Sequence, residues 1–150
     1  MGTARIVFTR FPSPRHPRLA AWAGHLNRVA GVDETLRAGA GSAVVWQLVS
    51  GNFRPLGRRT AVFASVDEAR ADALRMVEEE NRMLPQARSE QRYGGFGWYF
   101  TLDGFPVLAC ARWYFNERDR AHAIELARDA LAHAVLKDTV NDIRPTFAAE

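Results

Sequence analysis

The sequence has few of the residues that build disulfides, metal sites and membrane spans. Its one cysteine, Cys110, cannot form an internal disulfide, and no cysteine–histidine set occurs at zinc-binding spacing. No apolar run approaches the roughly 18 residues that a membrane span requires, and residues 1–15 lack the order of a secretory signal. These absences favour a cytoplasmic protein with no membrane partner, metal or cofactor.

The sequence also lacks catalytic motifs. It contains no nucleophile elbow, Walker loop or zinc-protease helix motif. His122 and His133 lie eleven positions apart on one predicted helix, too far to hold one metal ion, and no histidine lies near Cys110. We therefore predict a buried structural cysteine, solvated helix histidines and a protein that is not an enzyme.

Charge is unevenly distributed along the chain. Residues 1–66 hold nine arginines and two acidic residues, a net charge of +7, whereas residues 67–150 have a net charge of −4. Lys137 is the only lysine in the sequence. The asymmetry fits either a surface for polyanions or attraction between the two portions within one fold.

A segment of the chain is repeated. A gapless comparison at an offset of 52 aligns residues 46–77 with residues 98–129, and eight of the 32 positions are identical, against about two expected from ordinary residue usage. The match indicates a duplicated unit with approximate twofold symmetry. It predicts four pairs of buried structural anchors: Trp46 and Trp98, Phe53 and Phe105, Leu56 and Leu108, Phe63 and Phe115.

Each copy contains a predicted hairpin. Trp98, Phe100 and Leu102 alternate on one side of a strand, and Asp103-Gly104 then fits a two-residue turn. The first copy has Gly51-Asn52 at the same place. If no bulge interrupts the returning strand, the Trp98 face continues through alternate residues: Phe105, Val107, Ala109, Ala111, Trp113 and Phe115.

A helix is predicted after each hairpin. Ser65 and Glu68 form a capping box that opens a helix over about residues 66–83. Asn116 and Asp119 are a weaker version that opens a helix over about residues 117–136.

The repeated motif resembles the YegP-like domain of unknown function. The shared pattern is W-x-F-x-L, a glycine in the turn, L-A, an aromatic residue seven positions after that leucine, and an Ala-rich helix. The resemblance covers about residues 43–83 and 95–136 and implies tandem or dimeric β-β-β-α units in one antiparallel sheet, with helices on one face and exchanged between units. It rests on Trp98, Phe100, Leu102, Gly104, Leu108, Ala109, Phe115 and Ala121, and more loosely on Trp46, Leu48, Leu56, Gly57 and Phe63.

We therefore predict a single α+β domain with an N-terminal helical insertion. Residues 4–10 are expected to supply the displaced first strand of copy one, and the insertion contains a helix with Leu19, Trp22, Leu26 and Val29 on one side, closed by Gly31. This helix must cover some other surface. The predicted ranges are 1–42 for the N-terminal strand and basic insertion, 43–84 for repeat one, 85–94 for a linker, 95–136 for repeat two and 137–150 for a tail.

The second face of the sheet is the candidate functional surface. Arginine and tyrosine side chains on an open sheet are typical of nucleic-acid platforms, but Val45, Val49, Leu56, Leu108 and Cys110 share that face and indicate that the insertion helix or a second chain covers it. We expect a binding or assembly module for a protein partner or a homodimer, with a basic nucleic-acid binder as the alternative. The candidate binding residues are Gln47, Arg54, Arg58, Tyr99, Arg112 and Tyr114, with Arg10, Arg15 and Arg18 from the N-terminal cluster.

Overall fold

The computed structural model describes residues 3–32, 41–90, 92 and 95–145, which form three helices and seven strands. The predicted α+β class is confirmed. A short 3-10 turn, Glu80–Arg82, follows the second helix. The elements are β1 Arg5–Phe11, α1 Pro17–Ala30, β2 Ala43–Val49, β3 Pro55–Arg59, α2 Val66–Glu78, β4 Leu84–Glu90, β5 Gly95–Leu102, β6 Phe105–Cys110, α3 Glu117–Ala132 and β7 Val135–Asp142.

The strands form one sheet in the order β4-β5-β6-β3-β2-β1-β7. Unit one is β1-β2-β3-α2, unit two is β4-β5-β6-α3, and the units meet where β3 pairs with β6. The predicted antiparallel arrangement holds for these six strands, whereas β7 pairs with β1 in parallel. Residues 4–10 supply the displaced first strand, as predicted, because β1 pairs with β2 over its whole length.

The two hairpins turn differently, which corrects the offset of the repeat. The second turn has two residues, Asp103 at φ 53° and Gly104 at φ 87°, as expected for a tight hairpin. In the first turn the N–H of Ser50 bonds to the carbonyl of Arg54, so three residues lie between them, and the positive φ, 63°, belongs to Phe53. The extra residue changes the offset from 52 before the turn to 51 after it.

Pairing at the centre of the sheet follows the offset of 51. The helix caps Ser65 and Asn116 are 51 positions apart. Arg58 and Ala109 are also 51 apart and are Cα partners, so the pseudo-twofold axis passes through this pair. We use the word twins for two residues that occupy equivalent positions in the two units. Twins are separated by 52 positions before the hairpin turn and by 51 positions after it. Leu56 is therefore not the twin of Leu108, and the twin of Phe63 is Tyr114, since Val44 bridges to Phe63 as Phe96 bridges to Tyr114.

Helices cover both faces of the sheet. Neighbouring strand residues point to opposite faces: Arg59 binds Asp72 of α2, whereas Arg58 stacks on Trp22 of α1. Helices α2 and α3 therefore lie on one face and α1 on the other. The main core contains Trp46 and Trp98, which are fully buried, so the two predicted tryptophan anchors are confirmed.

A bulge between Phe100 and Thr101 changes the face of β6. Phe100 has Leu108, not Val107, as its Cα partner, so the condition of an uninterrupted strand fails and Val107 and Ala109 do not continue the Trp98 face. Leu108 takes that place.

Three predicted aromatic anchors lie on the surface. The exposed fractions are 59% for Phe53, 72% for Phe105 and 89% for Phe115, so the prediction that these rings are buried is wrong. Phe53 and Phe105 lie at hairpin turns, and Phe115 lies beyond the end of β6, where no second layer covers them. Leu56 and Phe63 are half-buried against the core.

Strands occupy the predicted linker and part of the predicted tail. Residues 84–90 form β4, and residues 135–142 form β7. Both are outer strands with mostly exposed side chains, so their sequences lack the apolar alternation that marks a half-buried strand. Gly94, which we assigned to the linker, lies outside the described residues.

Helix α1 has the predicted stripe and end. Leu19, Leu26 and Val29 are fully buried, and Gly31 closes the helix in the left-handed conformation with its N–H bonded to Asn27 O. His16 caps the start by accepting a hydrogen bond from Arg18 N. Helices α2 and α3 begin at their predicted caps but end earlier, at Glu78 and Ala132.

Candidate binding sites

Helix α1 crosses the second face of the sheet, where a binding platform was predicted. The guanidinium of Arg58 lies 4.7 Å from the ring centroid of Trp22, and burial lowers its pKa. Tyr99 and Gln47, which share this face, are half-buried. The prediction of an open arginine–tyrosine platform is therefore wrong at the centre of the face.

A buried polar cluster lies beneath α1. His25 Nε2 is 2.7 Å from the carbonyl oxygen of Cys110, so Nε2 must carry the proton that it donates. Burial lowers the pKa of His25, and nearby Arg58 and Arg28 lower it further. Burial also raises the pKa of the Cys110 thiol to about 11. At neutral pH this cluster holds a neutral imidazole and a neutral thiol, which fits the predicted structural role of Cys110.

The N-terminal arginines do not join the other candidate residues. Arg10 forms an ion pair with Asp142 at 2.6 Å, which lowers the pKa of that carboxyl group. Arg15 and Arg18 are exposed at the start of α1, beyond the Phe11 end of β1. Arg54, Arg112 and Tyr114 belong to the opposite end of the sheet.

That opposite end carries what we call the arginine–aromatic edge. The pairing of β3 with β6 ends at Gly57 and Cys110, so the segments 53–56 and 111–115 leave the sheet at the same edge, where the first residue of β1 also lies. The edge consists of Arg5, Phe53, Arg54, Arg112, Tyr114 and Phe115.

Two cation–π contacts organise this edge. The guanidinium of Arg5 lies 4.8 Å from the ring centroid of Phe53, and that of Arg112 lies 5.0 Å from the ring centroid of Tyr114. Phe115 follows directly with an almost fully exposed ring. Burial raises the pKa of Tyr114, so its hydroxyl stays protonated at neutral pH.

A recess of about 320 Å³ lies beside Phe53 on the second face of the sheet. Amide, hydroxyl and ammonium groups line it, and one of them, Gln47, is a predicted binding residue. The lining residues are Val7, Gln47, Val49, Phe53, Lys137, Thr139 and Asn141.

Sequence reasoning missed Arg5, Phe53 and Phe115 as surface residues. The gapless repeat matched the two phenylalanines to other phenylalanines and so indicated a shared core role. An offset of 51 after the turn would have corrected this prediction. It aligns Phe115 with Ala64, so the repeat no longer requires a buried ring at that position.

Two larger clefts lie between each helix and the hairpin of the other unit. The α2 cleft, about 530 Å³, separates α2 from the β5–β6 hairpin, and the α3 cleft, about 710 Å³, separates α3 from the β2–β3 hairpin. Helix α3 contacts β2 and β3 of unit one as well as β5 of its own unit, whereas α2 packs mainly on β1, β2 and β7. The exchange of helices that the family resemblance implied is therefore seen for α3 and not for α2. No helix in the described part of the chain is long and apolar enough to cross a membrane.

Comparisons with known proteins give one structural likeness and no sequence match. No protein-family model and no curated protein matches the chain. The solution NMR structure of yegP from E. coli, a protein of unknown function, is similar at a TM-score of 0.49 and 15% sequence identity, over 65% of this chain and 83% of that chain. The description of that structure names no activity.

Proposed function

We propose that this protein is a non-enzymatic module that binds single-stranded nucleic acid at the arginine–aromatic edge. The observation that carries the proposal is the ring of Phe115, 89% exposed, beside the Arg112–Tyr114 stack. Arg112 and Phe115 have the alanines Ala61 and Ala64 as twins, so unit one folds without either group. Exposed rings that stack bases and arginines that contact phosphate are the usual means of binding a single strand.

The conformation of Phe53 supports the same site. A bulky residue at positive φ costs on the order of 1–2 kcal/mol, and glycine would avoid this cost. The strain places the ring beneath Arg5 and beside the polar recess. A nucleobase stacked on Phe53 would lie within reach of the amide groups of Gln47 and Asn141.

Local charge at the edge favours a polyanion. Of the two acidic residues in the first turn of α3, Glu117 lies 3.6 Å from the cation of Arg120, and Asp119 accepts a hydrogen bond from the uncharged amide of Asn116. The guanidinium of Arg54 is exposed and makes no hydrogen bond or ion pair with the described residues. The guanidinium of Arg54 is therefore available to contact phosphate.

A catalytic role has less support. A reactive thiol needs an exposed, basic setting that lowers its pKa, whereas Cys110 is buried with a pKa of about 11. His122 is exposed on α3, and the histidine that contacts Cys110, His25, bonds to its carbonyl oxygen and not to its thiol.

Fluorescence anisotropy with labelled single-stranded DNA and RNA at about 50 mM salt tests the proposal. We expect binding that weakens with salt, a loss of about 1–3 kcal/mol for Phe115→Ala, and a salt slope smaller by about 0.7 for Arg112→Gln. Phe105→Ala is the matched control, because it removes a ring of similar exposure at the other end of the sheet. Absence of binding, or equal affinities for the Phe115→Ala variant and wild type, would refute the proposal.

A protein partner or homodimer is the second candidate. Its support is the exposed apolar end opposite the edge, where Leu84 and Phe105 are 62% and 72% exposed. Sedimentation at rising concentration tests self-association. A dimer that Leu84→Asp dissociates supports this candidate, and a monomer throughout the micromolar range counts against self-association.

A further inference from the structure

The α2 cleft has the size and lining of a small-molecule site. Its volume of about 530 Å³ lies within the usual range for ligand pockets, roughly 300–1,000 Å³. Apolar side chains dominate the walls, and the ring of Phe105 stands exposed at the mouth. The apolar lining residues are Val32, Ala61, Met76, Leu102, Phe105, Pro106 and Val107.

The polar floor of the cleft is already satisfied. Arg59 binds Asp72 through two nitrogens and donates to the carbonyl of Val107, and Thr60 Oγ1 donates to the carbonyl of Pro106. These groups are buried and held in place. They give the cleft a rigid base but supply no free charge to a ligand.

One cation at the rim has no hydrogen-bond or ion-pair partner among the described residues. Arg75 lies in the last turn of α2, is exposed, and its guanidinium makes no hydrogen bond or ion pair within the described ranges. The acidic residue of the cleft, Asp103, is engaged by Arg82 at 2.5 Å. The complementary ligand therefore has an apolar body and a single negative charge.

The α3 cleft provides an internal comparison. It occupies the corresponding place in the other half, but the twin of Arg75 is Leu126, and its lining contains the carboxylate residue Asp129 and the imidazole of His133. A carboxylate would meet Asp129 there and find no arginine in the lining. The two halves thus have clefts at corresponding places, and only the α2 cleft has arginines in its described lining.

We propose that the α2 cleft binds a small monocarboxylate with an unbranched apolar tail. The tail lies along Met76, Leu102 and Phe105, and the carboxylate contacts Arg75 at the rim. This site is independent of the arginine–aromatic edge, so either proposal can fail alone.

Titration of the whole chain with three probes, followed by NMR chemical shifts, tests the site. The probes are octanoate, octan-1-ol and octylamine, which share one tail and differ in charge. We expect octanoate to bind at least tenfold more tightly than the alcohol, with shifts at residues of the α2 cleft, and octylamine to bind most weakly.

Two variants and one control separate the contributions. Arg75→Leu, which copies the twin residue, should remove the tenfold preference for octanoate while alcohol binding persists, and Phe105→Ala should weaken all three probes. Leu126→Ala in the α3 cleft should change nothing. Three results would each overturn the proposal: equal affinity for the three probes, chemical-shift changes at the α3 cleft instead of the α2 cleft, or octanoate binding that Arg75→Leu leaves unchanged.

Discussion

The two units bury the same tryptophan in different surroundings. In unit one the indole N–H of Trp46 donates to Asp72, which also binds Arg59. In unit two the twins of Arg59 and Asp72 are Cys110 and Ala123. Trp98 Nε1 has no hydrogen bond of acceptable geometry within the described residues, although it interacts with Tyr114. A duplicated fold therefore tolerates either a charged or an apolar support beneath one anchor.

The largest loss of stability is expected when the buried ion pair of unit one, Arg59–Asp72, is broken. Asp72→Ala would leave buried Arg59 without its counter-charge and Trp46 without its acceptor, and breaking such a pair costs about 3–5 kcal/mol. Urea unfolding measures the loss. Glu78→Ala, an exposed change on the same helix, is the control and should alter the free energy of unfolding by less than about 0.5 kcal/mol. A loss below about 1 kcal/mol for Asp72→Ala would show that the pair does not hold unit one together.

A smaller difference is expected between the tryptophans themselves. Trp46→Phe and Trp98→Phe remove similar volume, but only the first breaks a hydrogen bond to a charged group, worth about 1.5–3 kcal/mol. The free energy of unfolding should fall further for Trp46→Phe by about that amount. Equal losses would mean that the indole N–H contributes nothing in either unit.

The two hairpin turns allow a third comparison. Phe53→Gly relieves the left-handed strain of the first turn but adds flexibility to the unfolded chain. We expect the stability to be unchanged or raised by up to about 1 kcal/mol, while oligonucleotide binding falls. Gly104→Ala, which creates strain in the second turn, should destabilise instead. A marked loss of stability for Phe53→Gly would show that the ring has a structural role.

The smallest expected effect is a pH dependence of stability that arises from His25, which lies on α1 in the insertion that only unit one carries. Burial lowers the pKa of His25 below 6.5, so in the transition region the unfolded chain binds more protons than the folded one. Stability should be complete above about pH 6.5 and fall as the pH drops from there toward the lowered pKa. The urea midpoint should show this slope in wild type and in His122→Gln, but not in His25→Gln. The same slope in all three proteins would exclude His25 as its source.

Sequence reasoning recovered the elements that local side-chain patterns mark and missed those that depend on backbone pairing. The capping residues Ser65 and Asn116 and the stripe of α1 are local patterns, so the helix starts were predictable. The β5–β6 bulge and the outer strands β4 and β7 are set by backbone pairing between distant segments, which leaves little pattern in the side chains. For the candidate site, Arg54, Arg112 and Tyr114 were identified, whereas Phe53 and Phe115 were assigned to the core.

The parallel pairing of β1 with β7 joins Arg5 to Val135, 130 positions along the chain. During synthesis the outer edge of β1 therefore has no partner until α3 is complete and β7 follows, which takes roughly 6–25 s at ordinary elongation rates. An unpaired strand edge is a template for association with other chains. Strand β7 thus closes, late in synthesis, an edge of the sheet that would otherwise be open to association with other chains.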